Sequence, residues 1–245
     1  MISIFTRKKF LTDYLEGFVD MHNHLLPGID DGAKNVDESL ALLKGFSEFG
    51  VTNFVATPHI MHNYYPNTPK TIQKSLNALE IGIQKSELDI DISAAAEHMI
   101  DANFETLLEN GAVMPIGKNY ILIEMSYLQP AINFDNAIQK LATERYFAIL
   151  AHPERYVFMF NKLGKHAHYK KNGMLYQMNI LALSEYYGKD VQKMTMKLLD
   201  EGLYDFLASD VHNLQQLESL KEMKISEKLA NTLRPLIDST IYNFQ

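Results

Sequence analysis

The sequence of 245 residues contains no cysteine. That single absence removes disulfides, thiolate metal sites and cysteine nucleophiles together. Phosphate-ester chemistry in this chain therefore cannot pass through a cysteinyl phosphate, and a metal has to rest on His, Asp, Glu, Asn or water. Positive charge is also in deficit: 23 Lys and Arg against 30 Asp and Glu leave a formal charge of −7, which argues against a general nucleic-acid binder. No apolar run approaches the roughly 20 residues needed to span a bilayer. The segment Met1 to Gly17 carries Arg7, Lys8 and Lys9 but no long apolar stretch after them, so it does not read as a signal peptide, and the expected location is the cytoplasm. Internal repeats, low-complexity tracts and Pro/Gly/Ser-rich linkers are missing too. The chain is accordingly read as one domain, 1–245, with residues 1–17 as an N-terminal extension.

What is present is ordinary globular composition, 47% hydrophobic and 22% charged, which supports a sizeable core and excludes global disorder. Along the chain, short apolar runs rich in β-branched and aromatic residues alternate with longer segments of helical period. The runs are Phe18–Met21, Val51–Ala56, Ile90–Ala96, Tyr120–Met125, Tyr146–Ala151, Met174–Ile180 and Leu203–Ala208. Helices are expected near Asp37–Phe49, Pro69–Ser86, Asn103–Asn110, Asn133–Arg145, Val157–Lys171, Asp190–Glu201 and Ser226–Ser239. Thr68-Pro69 has the capping hydroxyl and first-turn proline of a helix start, and Gly50, Gly111 and Gly202 stand where helices should stop. Seven strand–helix units predict an α/β fold with a mostly parallel sheet. That sheet could be an open, doubly wound one or a closed barrel, for which about 250 residues is a common length.

The residues that leave each run favour the barrel. The first run exits into His22-Asn23-His24, the second into Thr57-Pro58-His59, the third into Glu97-His98, and the fourth carries Glu124. The fifth exits into His152-Pro153-Glu154-Arg155, the sixth into Asn179, and the seventh into Ser209-Asp210-Val211-His212. Strand C-termini are where parallel α/β folds place their sites, and only a barrel brings so many to one point. In a strand, residues i and i+2 share a face, so His22 with His24, and Asp210 with His212, are expected to grip an ion as pairs. Glu97 and Glu124 sit on apolar runs, where an uncompensated carboxylate is costly and needs a cation. The ligands exceed one coordination sphere, which predicts a cluster of two or three ions. His62, His166 and His168 lie in loop or helix contexts and are expected at the surface, and the scattered methionines are expected to fill core.

Taken together, Asp20-Met21-His22-Asn23-His24, Pro27-Gly28-Ile29-Asp30-Asp31-Gly32, Ala56-Thr57-Pro58-His59, Ala96-Glu97, Ile123-Glu124, His152-Pro153-Glu154-Arg155-Tyr156 and Ser209-Asp210-Val211-His212-Asn213 resemble the PHP (polymerase and histidinol phosphatase) superfamily. More closely they resemble its bacterial branch of manganese-dependent protein tyrosine phosphatases, the CpsB/YwqE type tied to capsule and exopolysaccharide synthesis. The resemblance implies a distorted (β/α)7 TIM-like barrel with up to three divalent ions, manganese first and Fe, Mg or Zn as alternatives. It implies one ion on His22, His24, Glu97 and Asp210, a second on Glu97 as bridge with Glu124 and His152, and a third on Asp31, His59 and His212. Arg155 would face the substrate phosphate, and His59, His212 and Asp31 would work beside it, an imidazole free of metal serving as proton donor.

The implied reaction is attack of activated water on phosphorus without a covalent phosphoenzyme. The implied partner is a phosphotyrosyl protein, such as a bacterial tyrosine kinase, with no nucleic acid and no membrane span. Departures from the branch are His98-Met99-Ile100 after Glu97, Ile180-Leu181-Ala182-Leu183 after Asn179, and Leu214-Gln215-Gln216 where relatives carry an Arg. These touch the pocket rim. Two other readings compete: a histidinol-phosphate or other small-molecule phosphatase of the same superfamily, and a catalytically weak metal-binding regulatory protein.

Overall fold

The computed structural model describes residues 9–245. Its strands are β1 (Lys9–Phe10), β2 (Val19–Asp20), β3 (Asn53–Ala56), β4 (His59–Ile60), β5 (Asp91–Ala94), β6 (Glu97–Met99), β7 (Tyr120–Glu124), β8 (Phe147–Ala151), β9 (Leu175–Asn179), β10 (Phe206–Ala208) and β11 (Lys224–Ile225). The helices are α1 (Val36–Ser47), α2 (Pro69–Ser86), α3 (Phe104–Glu109), α4 (Phe134–Thr143), α5 (Leu163–Lys171), α6 (Lys189–Asp200), α7 (Leu214–Lys221) and α8 (Glu227–Phe244). Among the described residues no helix is long and apolar enough to cross a membrane.

β2 to β10 form one closed barrel of seven parallel staves. Pro58, with no N–H to give to a ladder, separates β3 from β4. Ala95 N donating to Ala56 O at 2.8 Å and Glu97 N to Pro58 O at 3.1 Å carry the pairing across the gap. β3 with β4, and β5 with β6, are thus single staves. The others follow in the order β6–β7–β8–β9–β10, all parallel. Closure comes from Asp210 N donating to His22 O at 2.8 Å and His24 N to Val211 O at 3.0 Å. The Asp20 carboxylate seals the same seam by accepting from Ser209 N at 2.9 Å and Ser209 Oγ at 2.6 Å. The expected seven-strand barrel is therefore the fold.

The staves are apolar on both faces because both faces are buried. Inside the barrel, Met21, Val55, Ala95, Leu122, Ile149 and Ala151 pack with Phe206 and Ala208. At the N-terminal end the ring of Phe244, the last residue of α8, lies 4.8 Å from Phe206 and 5.4 Å from Tyr120. That plug leaves the C-terminal mouth as the open end. Of the expected N-terminal extension, residues 1–8 lie outside the described residues. The rest joins the body: β1 pairs antiparallel with β11, and Leu11 and Leu15 are buried in the core.

Local signals placed most of the helices. Thr68 caps α2 with Pro69 in the first turn, and Gly50, Gly111 and Gly202 all take positive φ after helices. Three expectations change. The helix expected over Val157–Lys171 is a short 3-10 turn, Val157–Met159, followed by α5, because Phe160 is extended and Asn161 has φ +60°. α7 was not expected: it is eight residues long with Leu214, Leu217 and Leu220 on a three-residue spacing. α8 runs to Phe244 rather than Ser239, with Pro235 inside it.

His166 is buried rather than on the surface. Its Nδ1 lies 3.2 Å from the Tyr176 hydroxyl, while its Nε2 is buried with no hydrogen-bond partner. Burial, with Lys165 nearby, pulls its pKa down to about 4. The folded protein thus resists a proton that the unfolded chain accepts below about 6.5, so stability is full above that pH and falls as pH drops towards 4. The expected loss from this group is about 2 kcal/mol. Urea unfolding of wild type and His166→Gln, at about pH 7.5 and pH 5, should show the variant losing less. An equal loss in the two proteins would contradict it.

Candidate metal centre

All nine expected ligands converge at the mouth of the barrel: His22, His24, Asp31, His59, Glu97, Glu124, His152, Asp210 and His212. They form four overlapping groups whose donor atoms lie within 4.8 Å of one another: His22, His24 and Asp210; His22, Glu97 and His152; His59, Glu97 and Glu124; and His24, Asp31, His59 and His212. Asp210 Oδ1 is 3.3 Å from His22 Nε2 and 3.3 Å from His24 Nε2. Glu97 is central, with Oε2 3.3 Å from His22 Nε2 and 3.1 Å from His59 Nδ1, and Oε1 3.1 Å from His152 Nε2. Asp31 is the exposed member, with half its side chain open and Oδ1 3.4 Å from His59 Nε2.

Two details differ from expectation. Glu124 groups with His59, 2.8 Å away, rather than with His152; both reach Glu97 but from different sides. The paired residues also do not alternate along strands. β2 ends at Asp20 and β10 at Ala208, so His22–His24 and Asp210–His212 lie on the turns beyond them. His152 (φ +36°) and Asp210 (φ +52°) take left-handed backbone conformations that turn their side chains inward. Such conformations cost of order 1–3 kcal/mol each and persist where the surroundings impose them.

The donor set fits divalent cations. Glu97 Oε2, Glu124 Oε1, His59 Nδ1 and His152 Nδ1 are buried and lack hydrogen-bond partners. His59 Nδ1 and Glu124 Oε1 are close but not aligned for a hydrogen bond, an arrangement of atoms facing a shared third partner. Burial opposes charge on Glu97 and Asp210, yet the neighbouring imidazoles, His22 first, hold both carboxyls well below the usual range. Burial likewise opposes charge on His59, but Glu124 and Glu97 raise it well above the ordinary imidazole value. On Asp31, His59 and His212 outweigh burial and bring the pKa down to about 2. The pocket is thus an anionic cage that demands positive charge, and ligands of this imidazole–carboxylate type suit Mn, Fe or Zn.

A supporting shell orients these ligands, and sequence reasoning missed most of it. His22 Nδ1 is 2.8 Å from Gln177 Oε1, and His24 Nδ1 is 2.8 Å from Asp30 Oδ2. Each acceptor takes the Nδ1 proton and leaves Nε2 free as a donor to an ion. Asp30 also accepts from Gly32 N at 3.0 Å and His59 N at 3.2 Å, so it ties three elements of the site together. Gly32 must be glycine: a Cβ there would stand 2.1 Å from His24 O. Gln177 left one signal in the sequence, a polar residue amid a buried run. His98 points away from the site, with Nδ1 3.1 Å from Leu122 O and Nε2 accepting from Met114 N at 3.1 Å. Asn213 is the N-cap of α7, where it accepts from Gln216 N at 3.0 Å.

Above the cluster lies a cavity of about 270 Å³ walled by Asp31, His59, Glu97, Arg155, Asp210 and His212, with Tyr127 and Tyr187 beside Arg155. Larger cavities, of about 480 Å³ between the loops after β6 and β7 and of about 350 Å³ along α4, contain no such ligand set. Chemistry rather than volume singles out the smaller one. Arg155 Nη1 donates to Asp210 Oδ2 at 3.0 Å, so the arginine has a carboxylate partner within the site itself.

The profile of the family described as capsular polysaccharide synthesis, CpsB/CapC, matches residues 18–229. The chain belongs to the CpsB/CapC family. Within it, CapC of Staphylococcus aureus is 30% identical over 197 residues, covering 80% of this chain and 77% of its own length. The tyrosine-protein phosphatase YwqE of Bacillus subtilis is 25% identical over 198 residues, covering 80% and 78%. A crystal structure from a study of YwqE and of CpsB from Streptococcus pneumoniae, described as unique metal-dependent tyrosine phosphatases, shares the fold with a TM-score of 0.78 at 23% identity, covering 93% of this chain and 95% of that one. An amidohydrolase from Mycoplasma synoviae shares it more loosely, with a TM-score of 0.53 at 12% identity, covering 98% and 92%.

Two of the rim segments that depart from the CpsB/YwqE pattern in the sequence reading have defined places in this fold. In the Leu214-Gln215-Gln216 segment after Asn213, Gln216 Oε1 accepts from His212 N at 2.6 Å. The Ile180–Leu183 segment is a buried 3-10 turn that leads directly to Tyr187.

Proposed function

We propose that this CpsB/CapC protein is a divalent-metal-dependent phosphomonoester hydrolase that acts on phosphotyrosyl protein. Manganese is the preferred ion in this reading, the nine converging residues are its ligands, a bacterial tyrosine kinase is the substrate, and the cytoplasm is the place of action. The observation that carries the reading is a buried, partnerless set of carboxylate and imidazole donors beneath a cavity that also holds an arginine. The same motifs run from Phe18 to Asn213 in what is read as one domain, and residues 9–17 pack onto that body.

Divalent ions held there supply a nucleophile by acidifying water and offset charge on the phosphoryl oxygens. The chain's own residues do the rest. Gln177 and Asp30 hold His22 and His24 in the tautomer that binds. Arg155 offers an in-plane fork of N–H donors that matches a phosphate dianion. The floor of the cavity, Glu97, His152 and Asp210, is buried, and the low dielectric there strengthens charge contacts. The tyrosyl oxygen has a phenol pKa near 10, so it needs less protonation than an alkyl alcohol on leaving. His59 and His212, at the cavity wall, are the imidazoles placed to give a proton when not committed to an ion.

Metal analysis followed by a comparison of phosphotyrosine peptide, phosphoserine peptide and histidinol phosphate tests the reading. More than one ion per chain and preference for phosphotyrosine are expected. At most one ion after Mn loading would sink the multinuclear assignment, and a preference for histidinol phosphate would favour the small-molecule reading.

Arg155→Lys should lose kcat/KM by a few kcal/mol of transition-state stabilisation while metal content stays near wild type. Lysine keeps the charge but loses the two-pronged geometry. Unchanged kinetics with a lowered melting temperature would make Arg155 structural only.

A further inference from the structure

Arg155 is packed against two aromatic rings. Its guanidinium carbon lies 4.3 Å from the Tyr127 ring centroid and 4.3 Å from the Tyr187 ring centroid. The topology explains the two contacts. Arg155 follows β8, Tyr127 follows β7 and Tyr187 follows β9, and these three staves are neighbours in the order β7–β8–β9. The arginine therefore leaves the middle stave and receives one ring from the loop on each side. Val157 N donating to Tyr127 O at 3.0 Å ties the first loop to the arginine's own.

All five guanidinium donors lie in one plane. The group therefore donates only through its rim, and one rim position is taken by Asp210 Oδ2 at 3.0 Å. A closed circuit fixes that position. Asn179 Nδ2 also donates to Asp210 Oδ2, at 2.8 Å, and to the Tyr187 hydroxyl at 3.2 Å. Tyr187 thus meets Arg155 through its face and the partner of Arg155 through its oxygen. The remaining rim borders the cavity over the metal cluster. Cation–π contacts of this kind strengthen when the cation is desolvated, and Arg155 has under a fifth of its side chain exposed.

We propose that Tyr127 and Tyr187 are positioning residues for phosphoryl recognition: they clamp Arg155 before substrate arrives, so that its free edge faces the phosphate. The proposal rests on the reading of Arg155 as the phosphate-binding arginine. The rings act through Arg155 and do not touch the phosphoryl group themselves. A long side chain with several rotatable bonds is ordered in advance, so less ordering entropy opposes binding.

Two measurements test it. The first is NMR of the metal-free protein. Two rings, each with its centroid 4.3 Å from the guanidinium carbon, should shift the Arg155 δ-methylene protons upfield; Tyr187→Phe should keep the shift and Tyr187→Leu should remove the share of Tyr187, leaving that of Tyr127. The second is inhibition of the Mn-loaded protein by orthophosphate, with metal content and melting temperature in parallel. Tyr187→Leu should weaken orthophosphate about tenfold, with Tyr187→Phe recovering most of that loss. In an Arg155→Ala background, Tyr187→Leu should add nothing, because its effect passes through the arginine.

Unshifted Arg155 protons in the wild type, or an equal effect of Tyr187→Leu with and without Arg155, would overturn the clamp while phosphatase activity persists. A Mn-loaded wild type that neither binds orthophosphate nor cleaves phosphotyrosine would overturn the phosphatase reading and the positioning role together.

Discussion

Glu97→Gln is expected to cost at least about 100-fold in activity together with much of the bound metal, an effect beyond that typical of residues around a metal site. Glu97 reaches three candidate ligand atoms through Oε2, at 3.1 Å (His59 Nδ1), 3.3 Å (His22 Nε2) and 3.5 Å (His24 Nε2), and a fourth, on His152, through Oε1. A carboxylate presents two anionic oxygens and can serve two ions. The amide of Gln is neutral and turns an N–H₂ group towards one of those positions, where it repels a cation and has no free lone pair to give it. The substitution keeps shape and volume, so packing in the barrel mouth is preserved. His62→Ala provides the comparison: the side chain of His62 is exposed, and only its backbone N–H is engaged, by Asp101 Oδ2 at 2.8 Å. Its activity should stay within about twofold of wild type, as for most surface substitutions. Elemental analysis and kcat/KM on purified, folded proteins check both; comparable losses in the two would mean that the site is misassigned.

Chelation should bring hydrolysis of phosphotyrosine to background, whereas iodoacetamide should leave it untouched. The chain has no cysteine, so alkylation finds no thiol nucleophile. EDTA removes the ions for which the buried donors are arranged. Ions that bind the folded state alone also stabilise it by mass action, so the melting temperature should fall with the activity and both should return on Mn addition. Turnover that survives EDTA would end the metal-hydrolase reading. Strong inhibition by iodoacetamide would require a different nucleophile.

The nine residues that converge at the barrel mouth, the seven staves and most helices could be read from the sequence for one physical reason: each is a local signal. A buried strand writes itself as a continuous apolar run, and a ligand at its exit follows within a few residues, as His59 follows Ala56 and Asp210 follows Ala208. Helix starts such as Thr68-Pro69 are local for the same reason. What only the tertiary structure decided depends on residues far apart in the chain. Gln177 meets His22 across 155 positions, and Asp210 meets Arg155 across 55; no periodicity records such a meeting. The partition of ligands is likewise tertiary: Glu124 joins His59 because closing the barrel sets their side chains face to face. His166 reads as a surface helix residue, yet α5 turns it under Tyr176, since burial is fixed by what packs against a helix and not by the helix alone. Tyr127 and Tyr187 have no motif of their own. They bracket Arg155 because β7 and β9 flank β8, and that adjacency exists only once the strands have paired.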